Sequence, residues 1–214
     1  MLYLPPKKEP YMFRGKSSIV LLAFLLINFV QLLLYRQILN CQMDGLVLWV
    51  TTNILHLVSV SGIFSQYWTT GSLEQLVTFT PSIKSFITKT VLELWIRQGL
   101  LLTFFATALF YLLITDKMCI QTIVSFAGSL CYSTAMLSFT GALCSSLSIR
   151  SDRITPIILA APISIPGTIT ALALFKWDIN SPGIFTALFF VNVIIVSLFP
   201  LVMEIALKET LENL

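Results

Sequence analysis

The feature that most constrains this chain is a succession of long apolar stretches separated by short polar loops. Each stretch is long enough for an α-helix to cross the hydrocarbon core of a bilayer, which takes about 20 residues. We therefore predict six membrane-spanning helices. They cover residues 18–35, 46–65, 91–114, 119–149, 154–175 and 183–207.

Composition supports this prediction. Of the 214 residues, 57% are hydrophobic and only 11% are charged, whereas an ordinary soluble domain carries roughly 25% charged residues. A chain this apolar cannot cover its surface with polar groups, so lipid must solvate it. The predicted fold class is all-α, a polytopic bundle of six transmembrane helices that forms a single transmembrane domain over residues 1–214. A net charge of +3 is too small to suggest nucleic-acid binding.

The loop charges predict how the bundle is oriented, because cytosolic loops are enriched in Lys and Arg. Alternate loops place only Arg36, Lys117 and Lys176 on one side. The other side carries Lys7, Lys8, Arg14, Lys16, Lys84, Lys89, Arg97, Arg150, Arg153 and Lys208. We therefore expect a multi-pass protein with both termini in the cytosol. No small-residue cleavage site follows the first stretch, so we expect it to remain as a span.

The segment between the second and third predicted spans, residues 66–90, predicts a short cytosolic amphipathic helix. Ser72 can cap that helix, and Gln75 three residues later completes a capping box. Glu74 suits the positive end of the helix dipole, while Leu73 and Leu76 repeat at helical spacing. Such a helix either lies in the membrane interface and seals the bundle, or docks a cytosolic partner.

Two motifs carry a resemblance to a known family. The first is Gly71-Ser72-Leu73-Glu74-Gln75-Leu76. The second is Leu147-Ser148-Ile149-Arg150, followed by the proline-bearing stretch Ala161-Pro162-Ile163-Ser164-Ile165-Pro166. In order and spacing, most of the chain resembles the permease of the haem exporter of cytochrome c maturation, a type-2 ABC exporter permease. Residues 65–70 lack the acidic side chains that such permeases tend to carry there.

The resemblance implies a function. The chain would be a permease domain in the bacterial inner membrane, with the motif at 71–76 coupling it to a separate cytosolic ABC ATPase. Other partners would be a second copy of the chain and further cytochrome c maturation membrane subunits, including the haem-handling one. The machine would export haem or release a haem-loaded periplasmic chaperone, so haem is a cargo and no cofactor is bound covalently. The alternatives are a non-transporting scaffold of the haem-handling complex and a type-2 exporter of another lipophilic cargo.

Catalytic chemistry has little support in the sequence. Gly15-Lys16-Ser17 resembles the end of a phosphate-binding loop, but Pro10 stands where that loop needs its first glycine. ATP hydrolysis is therefore expected on another chain, and this chain is not expected to be an enzyme. We find no pattern for a metal site, and an intramembrane enzyme would need a nucleophile and base or an aspartate pair.

Several residues within the predicted spans have both a structural and a functional interpretation. His56 is either a weak haem-ligand candidate or a neutral side chain hydrogen-bonded on its own helix, for example to Asn53 or Ser59. Pro162, Pro166 and Gly167 form either a hinge or a static kink. The small residues of the fourth span serve tight packing, a dimer face or a conduit. These are Ala127, Gly128, Ser129, Ser133, Ala135, Ser138, Gly141, Ala142 and Ser145.

The remaining predictions concern local pairs. Glu93 and Arg97 are four residues apart and are expected to form an ion pair. A disulfide between Cys41 and Cys119 is chemically feasible on the outer side. Cys131 and Cys144 are expected to be small apolar packing residues.

Overall fold

A computed structural model of the chain describes residues 23, 41–60, 63–64, 83–113, 120–147, 155–176 and 182–212. These residues form five long helices, and no strand occurs among them. Helix α1 is Cys41–Val60. Helix α2 covers residues 83–113 and consists of Ile83–Leu94, a π-helical turn at Trp95–Gly99, and Leu100–Leu113. Helices α3, α4 and α5 are Ile120–Leu147, Thr155–Lys176 and Pro182–Glu212.

Each of the five helices exposes large apolar side chains. On α1 they recur every four residues, at Leu46, Val50, Ile54 and Val58, and on α2 Phe104 is 70% exposed. A monomeric soluble protein rarely exposes apolar patches larger than a few hundred Å². An apolar exterior on all of the described helices is instead the surface expected of a bundle in lipid.

Helix α3 occupies the centre of the described bundle. It packs against α1, α2, α4 and α5, and every residue from Met136 to Ser146 except the half-buried Phe139 is buried. Six of the nine small residues singled out above are among its buried residues, namely Ser129, Ser133, Ser138, Gly141, Ala142 and Ser145. Ala127 and Ala135 are half-buried and Gly128 is exposed. The packing interpretation is thus confirmed for the buried six.

The described helices correspond in order to the predicted spans two to six. Helices Ile83–Leu112 and Ile120–Leu147 are long and apolar enough to cross a membrane, and Gly45–Val60 and Pro162–Leu172 are shorter apolar segments. The first predicted span and the motif at 71–76 lie outside the described residues apart from residue 23. The all-helical class is therefore confirmed within the described residues, while six spans and the amphipathic coupling helix remain predictions.

Helix α2 begins before the predicted start of the third span. The third span was expected from residue 91, but the helix begins at Ile83, so the last residues of the segment 66–90 are continuous with it. At 1.5 Å per residue, residues 83–113 extend about 46 Å, beyond a hydrocarbon core of about 30 Å. The helix is thus longer than one crossing needs, and Lys84 and Lys89 lie in its first two turns.

The close approach of α1 and α3 can be tested with a matched pair of glycine substitutions. A Cβ at Gly141 would lie 3.0 Å from Val60 Cγ1, whereas a Cβ at Gly128 would meet no atom within 4 Å. We expect Gly141→Ala to lower the free energy of unfolding by about 1 kcal/mol through overpacking, and Gly128→Ala to leave it nearly unchanged. Unfolding of the purified chain by denaturing detergent measures both, and equal effects would contradict the close α1–α3 contact.

Candidate functional site

A row of polar side chains lies on the buried face of α1. Thr52, Asn53 and His56 are 0–6% exposed, in a helix whose opposite face exposes Ile54 and Val58. Spacings of three and four residues place Asn53 and His56 on one side of the helix. Polar side chains within a membrane bundle face the interior, away from lipid. Because these groups are buried, they need hydrogen-bond partners on the neighbouring helices.

Helix α3 supplies hydroxyl partners. Ser133 Oγ donates to Asn53 Oδ1 at 2.7 Å, and His56 Nε2 lies 2.8 Å from Ser138 Oγ. Further along, the backbone N–H of Phe64 donates to Ser145 Oγ at 3.1 Å. The first two contacts join α1 to α3, and the third joins α3 to Phe64, which lies beyond the end of α1.

Helix α2 joins the same polar region through its π-helical turn, Trp95–Gly99. The indole Nε1–H of Trp95 donates to Thr134 Oγ1 at 3.3 Å, and Ser59 Oγ donates to Gln98 Oε1. We call the set Asn53, His56, Ser59, Trp95, Gln98, Ser133, Thr134 and Ser138 the polar seam. Single π-helical turns within α-helices occur frequently at functional sites, and this one lies where α1, α2 and α3 meet.

Gly99 makes the close packing at the π-helical turn feasible. A Cβ at this position would lie 2.5 Å from Trp95 Cδ1 and 3.3 Å from His56 Cε1. A real Cβ does not come within 3 Å of a ring carbon, so Trp95 would have to move. The absence of a side chain at Gly99 therefore allows Trp95 to reach Thr134 and allows α2 to lie against the His56 ring.

The hydrogen bonds around His56 define its tautomer. Ser138 Oγ donates its proton to the Thr134 carbonyl oxygen at 2.9 Å, so it is an acceptor toward His56, and Nε2 carries the proton. Nδ1 is then an acceptor. It is buried and has no hydrogen-bond partner among the described residues, as is also true of Trp49 Nε1. His56 is 0% exposed, and its partner is on α3 rather than on its own helix.

The structure places the other predicted site residues apart from the seam. Pro162 and Pro166 lie inside the helix Thr155–Lys176, which continues through both. Gly167 is buried on the face toward α3, where an added Cβ would lie 3.1 Å from Met136 Cβ. Hinge and kink both remain open for these three residues. The six residues Gly71, Ser72, Leu73, Glu74, Gln75 and Leu76 lie outside the described residues.

Two local predictions are confirmed. Arg97 Nη2 and Glu93 Oε1 are 2.5 Å apart and form an ion pair, with both side chains about half exposed. Cys144 is buried in the main apolar core, and Cys131 is half-buried. The side chain of Cys41 and all of Cys119 lie outside the described residues. In the described part of the chain, no three His, Cys, Asp or Glu side chains are grouped so as to hold a metal ion.

The sequence did not identify the partners of the seam. Ser138 lies 82 residues from His56, and the fourth predicted span contains several serines that are equivalent by spacing. The π-helical turn has no sequence signal comparable to a proline. One signal was available, because Gly99 lies four residues after Trp95 on one helix face, where a small residue admits a large neighbour.

The fold and the polar seam define an integral membrane protein of the helical-bundle class, with apolar residues outside and hydrogen-bonded polar residues inside. A family model described as CcmB protein matches residues 19–209. Searches of curated proteins and of solved structures found no significant match. The chain therefore belongs to the CcmB family and is a membrane component of the haem exporter of cytochrome c maturation, in agreement with the resemblance noted above.

The hydrogen bond between His56 and Ser138 can be tested with a matched serine. Ser138→Ala removes the hydroxyl that accepts from the buried Nε2–H of His56, so we expect a loss of about 1 kcal/mol in the free energy of unfolding. Ser146 is also fully buried, but it donates only within α3, to Leu143 O at 2.7 Å, so Ser146→Ala should cost less. Unfolding in denaturing detergent compares the two variants, and a larger loss for Ser146→Ala would contradict the role of the seam.

Proposed function

We propose that this chain is the permease subunit of an ABC transporter, and that ATP hydrolysis on a separate cytosolic subunit drives haem export or release of the haem-loaded chaperone. The observation that carries the proposal is the family match over residues 19–209. The chain would act in the bacterial inner membrane with both termini cytosolic. The motif at residues 71–76 would be its contact with the ATPase.

The length and continuity of helix α2 support this proposal, because such a helix can transmit a displacement. The last eight residues of the segment 66–90 belong to a helix that begins at Ile83 and continues to residue 113. A force applied to the motif at 71–76 would therefore reach a helix longer than the bilayer core is thick. A continuous helix transmits displacement along its axis with little loss, because its backbone hydrogen bonds link every turn.

The cytosolic part of α2 packs against α5. Ile87 and Val91 of α2 are buried in one apolar cluster with Met203 and Leu207 of α5. Lys84 Nζ lies 3.6 Å from Glu204 Oε2, and Lys208 Nζ lies 2.9 Å from Glu204 Oε1. Both lysines are about half exposed, and ion pairs near solvent contribute little to stability, so the apolar contact would carry most of any displacement from α2 to α5.

Farther along, α2 enters the polar seam through Trp95 and Gln98. Displacement of α2 would act on the Trp95–Thr134 and Ser59–Gln98 hydrogen bonds. A packed interface that has two discrete arrangements can amplify a small local displacement into a larger conformational change. The π-helical turn is the natural place for such a change, since conversion to α-helix shifts the register of the residues that follow by one position.

The proposal includes three kinds of partner. A cytosolic ABC ATPase would bind the motif at 71–76, and a second copy of the chain would complete a symmetric pair, since six spans are half of a usual exporter. The other membrane subunits of cytochrome c maturation, including the haem-handling subunit, would complete the machine. Haem enters the proposal as cargo, and His56 remains a weak candidate for contact with it.

Charge reversal at the motif tests the coupling. Glu74→Lys would place a cation where the proposed ATPase contact has a carboxylate. A lost charge pair at such an interface costs enough to lower mature cytochrome c at least about tenfold. Glu209→Lys makes the same charge change at an exposed position near the end of α5, and should leave the level nearly unchanged. Normal maturation in the Glu74→Lys strain, without ATPase binding, would overturn the proposed mechanism.

Mass spectrometry of proteins that co-purify with the tagged chain in mild detergent tests the partners. We expect an ABC-type ATPase together with haem-handling membrane subunits. An ATPase without those subunits would indicate an exporter of another lipophilic cargo. Haem-handling subunits without an ATPase would indicate a non-transporting scaffold.

A further inference from the structure

Buried residues recur along α2 at a spacing longer than that of a regular α-helix. One residue is buried at each turn, namely Ile87, Val91, Leu94, Gln98, Leu102, Ala106 and Phe110. Six steps thus cover the 23 residues from 87 to 110, or about 3.8 residues per step, whereas an α-helix has 3.6 residues per turn. Over that distance a regular α-helix would turn Phe110 about 140° away from Ile87. The two residues could not then be buried on the same side of the helix.

The π-helical turn Trp95–Gly99 accounts for most of this difference. The backbone N–H of Leu100 donates to the carbonyl oxygen of Trp95, five residues back, whereas an α-helix bonds residues four apart. The turn thus holds one residue more than a turn of α-helix, and one residue corresponds to about 100° of rotation. Once this surplus residue is counted, Phe110 lies only about 40° from Ile87. The π-helical turn therefore keeps both halves of α2 buried on one side.

The exposed side of α2 agrees with the surplus residue. Leu92 is 43% exposed before the turn, and Phe104 and Tyr111 are 70% and 64% exposed after it. With the surplus residue counted, these three positions lie within about 20° of one another, on the side away from Ile87. Without it, Phe104 and Tyr111 would be rotated by about 100° or more from Leu92. Exposure and burial thus both indicate a single surplus residue in α2.

The surplus residue also determines which side chains of the turn reach the polar seam. Gln98 and Gly99 are neighbours, and both are buried. Gln98 Oε1 accepts from Ser59 Oγ, and Trp95 Nε1 donates to Thr134 Oγ1. If the turn lost one residue, Gly99 would take the place of Gln98 on the buried side, and Gln98 would turn about 100° away from Ser59. The packing of the two halves of α2 would stay the same.

We propose that the π-helical turn is a one-residue spacer that positions Gln98 against Ser59, and that the packing of α2 does not require it. Its role is then to join α2 to α1 at the polar seam rather than to stabilise the bundle. The buried and exposed positions carry this inference, because on both sides of the turn they fit a regular α-helix that is one residue shorter. The inference requires only that the chain works in the exporter. It does not depend on an ATPase contact at 71–76, so Glu74→Lys tests a separate proposal.

Deletion of Ile96 tests the spacer in the full-length chain, with two controls. Ile96 is half exposed, and Ile96→Ala removes the same side chain while the number of residues stays unchanged. Deletion of Phe104, which is also exposed, shortens α2 outside the turn. The helix must then turn Phe110 away from the core or, if the π-helical turn converts to α-helix, Leu102.

Unfolding of the purified chains in denaturing detergent measures the effect on packing. We expect deletion of Ile96 to lower the folded-to-unfolded ratio by no more than about tenfold relative to Ile96→Ala, as expected for the loss of one hydrogen bond. Deletion of Phe104 should lower the ratio at least about thirtyfold, because a large side chain leaves the core. Equal losses for the two deletions, or a failure of the chain without Ile96 to fold, would overturn the proposal.

Cross-linking and cytochrome c maturation measure the positioning of Gln98. The four native cysteines are replaced by alanine, and Ser59→Cys is combined with Gln98→Cys. After treatment with an oxidant, we expect a disulfide in the chain with Ile96→Ala and none in the chain without Ile96. With Ser59 and Gln98 in place, the Ile96→Ala strain should make normal amounts of mature cytochrome c, and the deletion strain no more than a strain that lacks the chain. A disulfide or normal maturation after the deletion would show that the spacer does not position Gln98, contrary to the proposal.

Discussion

The organisation of this bundle depends on the requirement that polar groups in a lipid environment be satisfied within the protein. Helix α3 meets that requirement for its neighbours with hydroxyl groups. Thr134 donates to Leu130 O at 2.9 Å and accepts from Trp95, and Ser138 donates to Thr134 O and accepts from His56. One short side chain thus binds its own helix and a second helix at once. Because Ser, Thr and Gly are small, the same residues also allow the close approach that these hydrogen bonds need.

If α1 and α3 separated, some groups of the polar seam would keep a hydrogen bond and others would not. If α1 moved away, Ser138 would still donate to Thr134 O, and Asn53 Nδ2 would still donate to Trp49 O at 2.8 Å. His56 has no comparable bond within α1, so its Nε2–H would lose its acceptor. Parting α1 from α3 would therefore leave two buried groups of α1 without partners, the Nε2–H of His56 and Oδ1 of Asn53, which accepts from Ser133. This assigns a physical role to the buried imidazole without any ligand.

How far the sequence could predict this structure depends on the range of each interaction. Glu93–Arg97 was predictable because an i, i+4 pair is set by helix geometry alone, and the buried small residues of α3 follow from composition. The pairing of His56 with Ser138 was not predictable. These residues are 82 positions apart in the sequence, and their contact depends on how α1 and α3 are rotated and shifted against each other. The start of α2 at Ile83 precedes the predicted start of the third span at residue 91, because hydropathy predicts the apolar part of a helix and not its polar first turns.

The distribution of these contacts bears on which helices can move. Helices α1, α2 and α3 are joined by the hydrogen bonds of the polar seam, and those between α1 and α3 leave His56 unsatisfied when they break. Helix α4 meets α3 at Gly167 and Met136 through apolar contact, which has no directional requirement and can slide by small steps. Helices α4 and α5 are joined to each other by Asn192 and Thr170. A rearrangement that keeps the seam intact would therefore move α4 and α5 together against α3, while one that begins at α2 must first rearrange the π-helical turn.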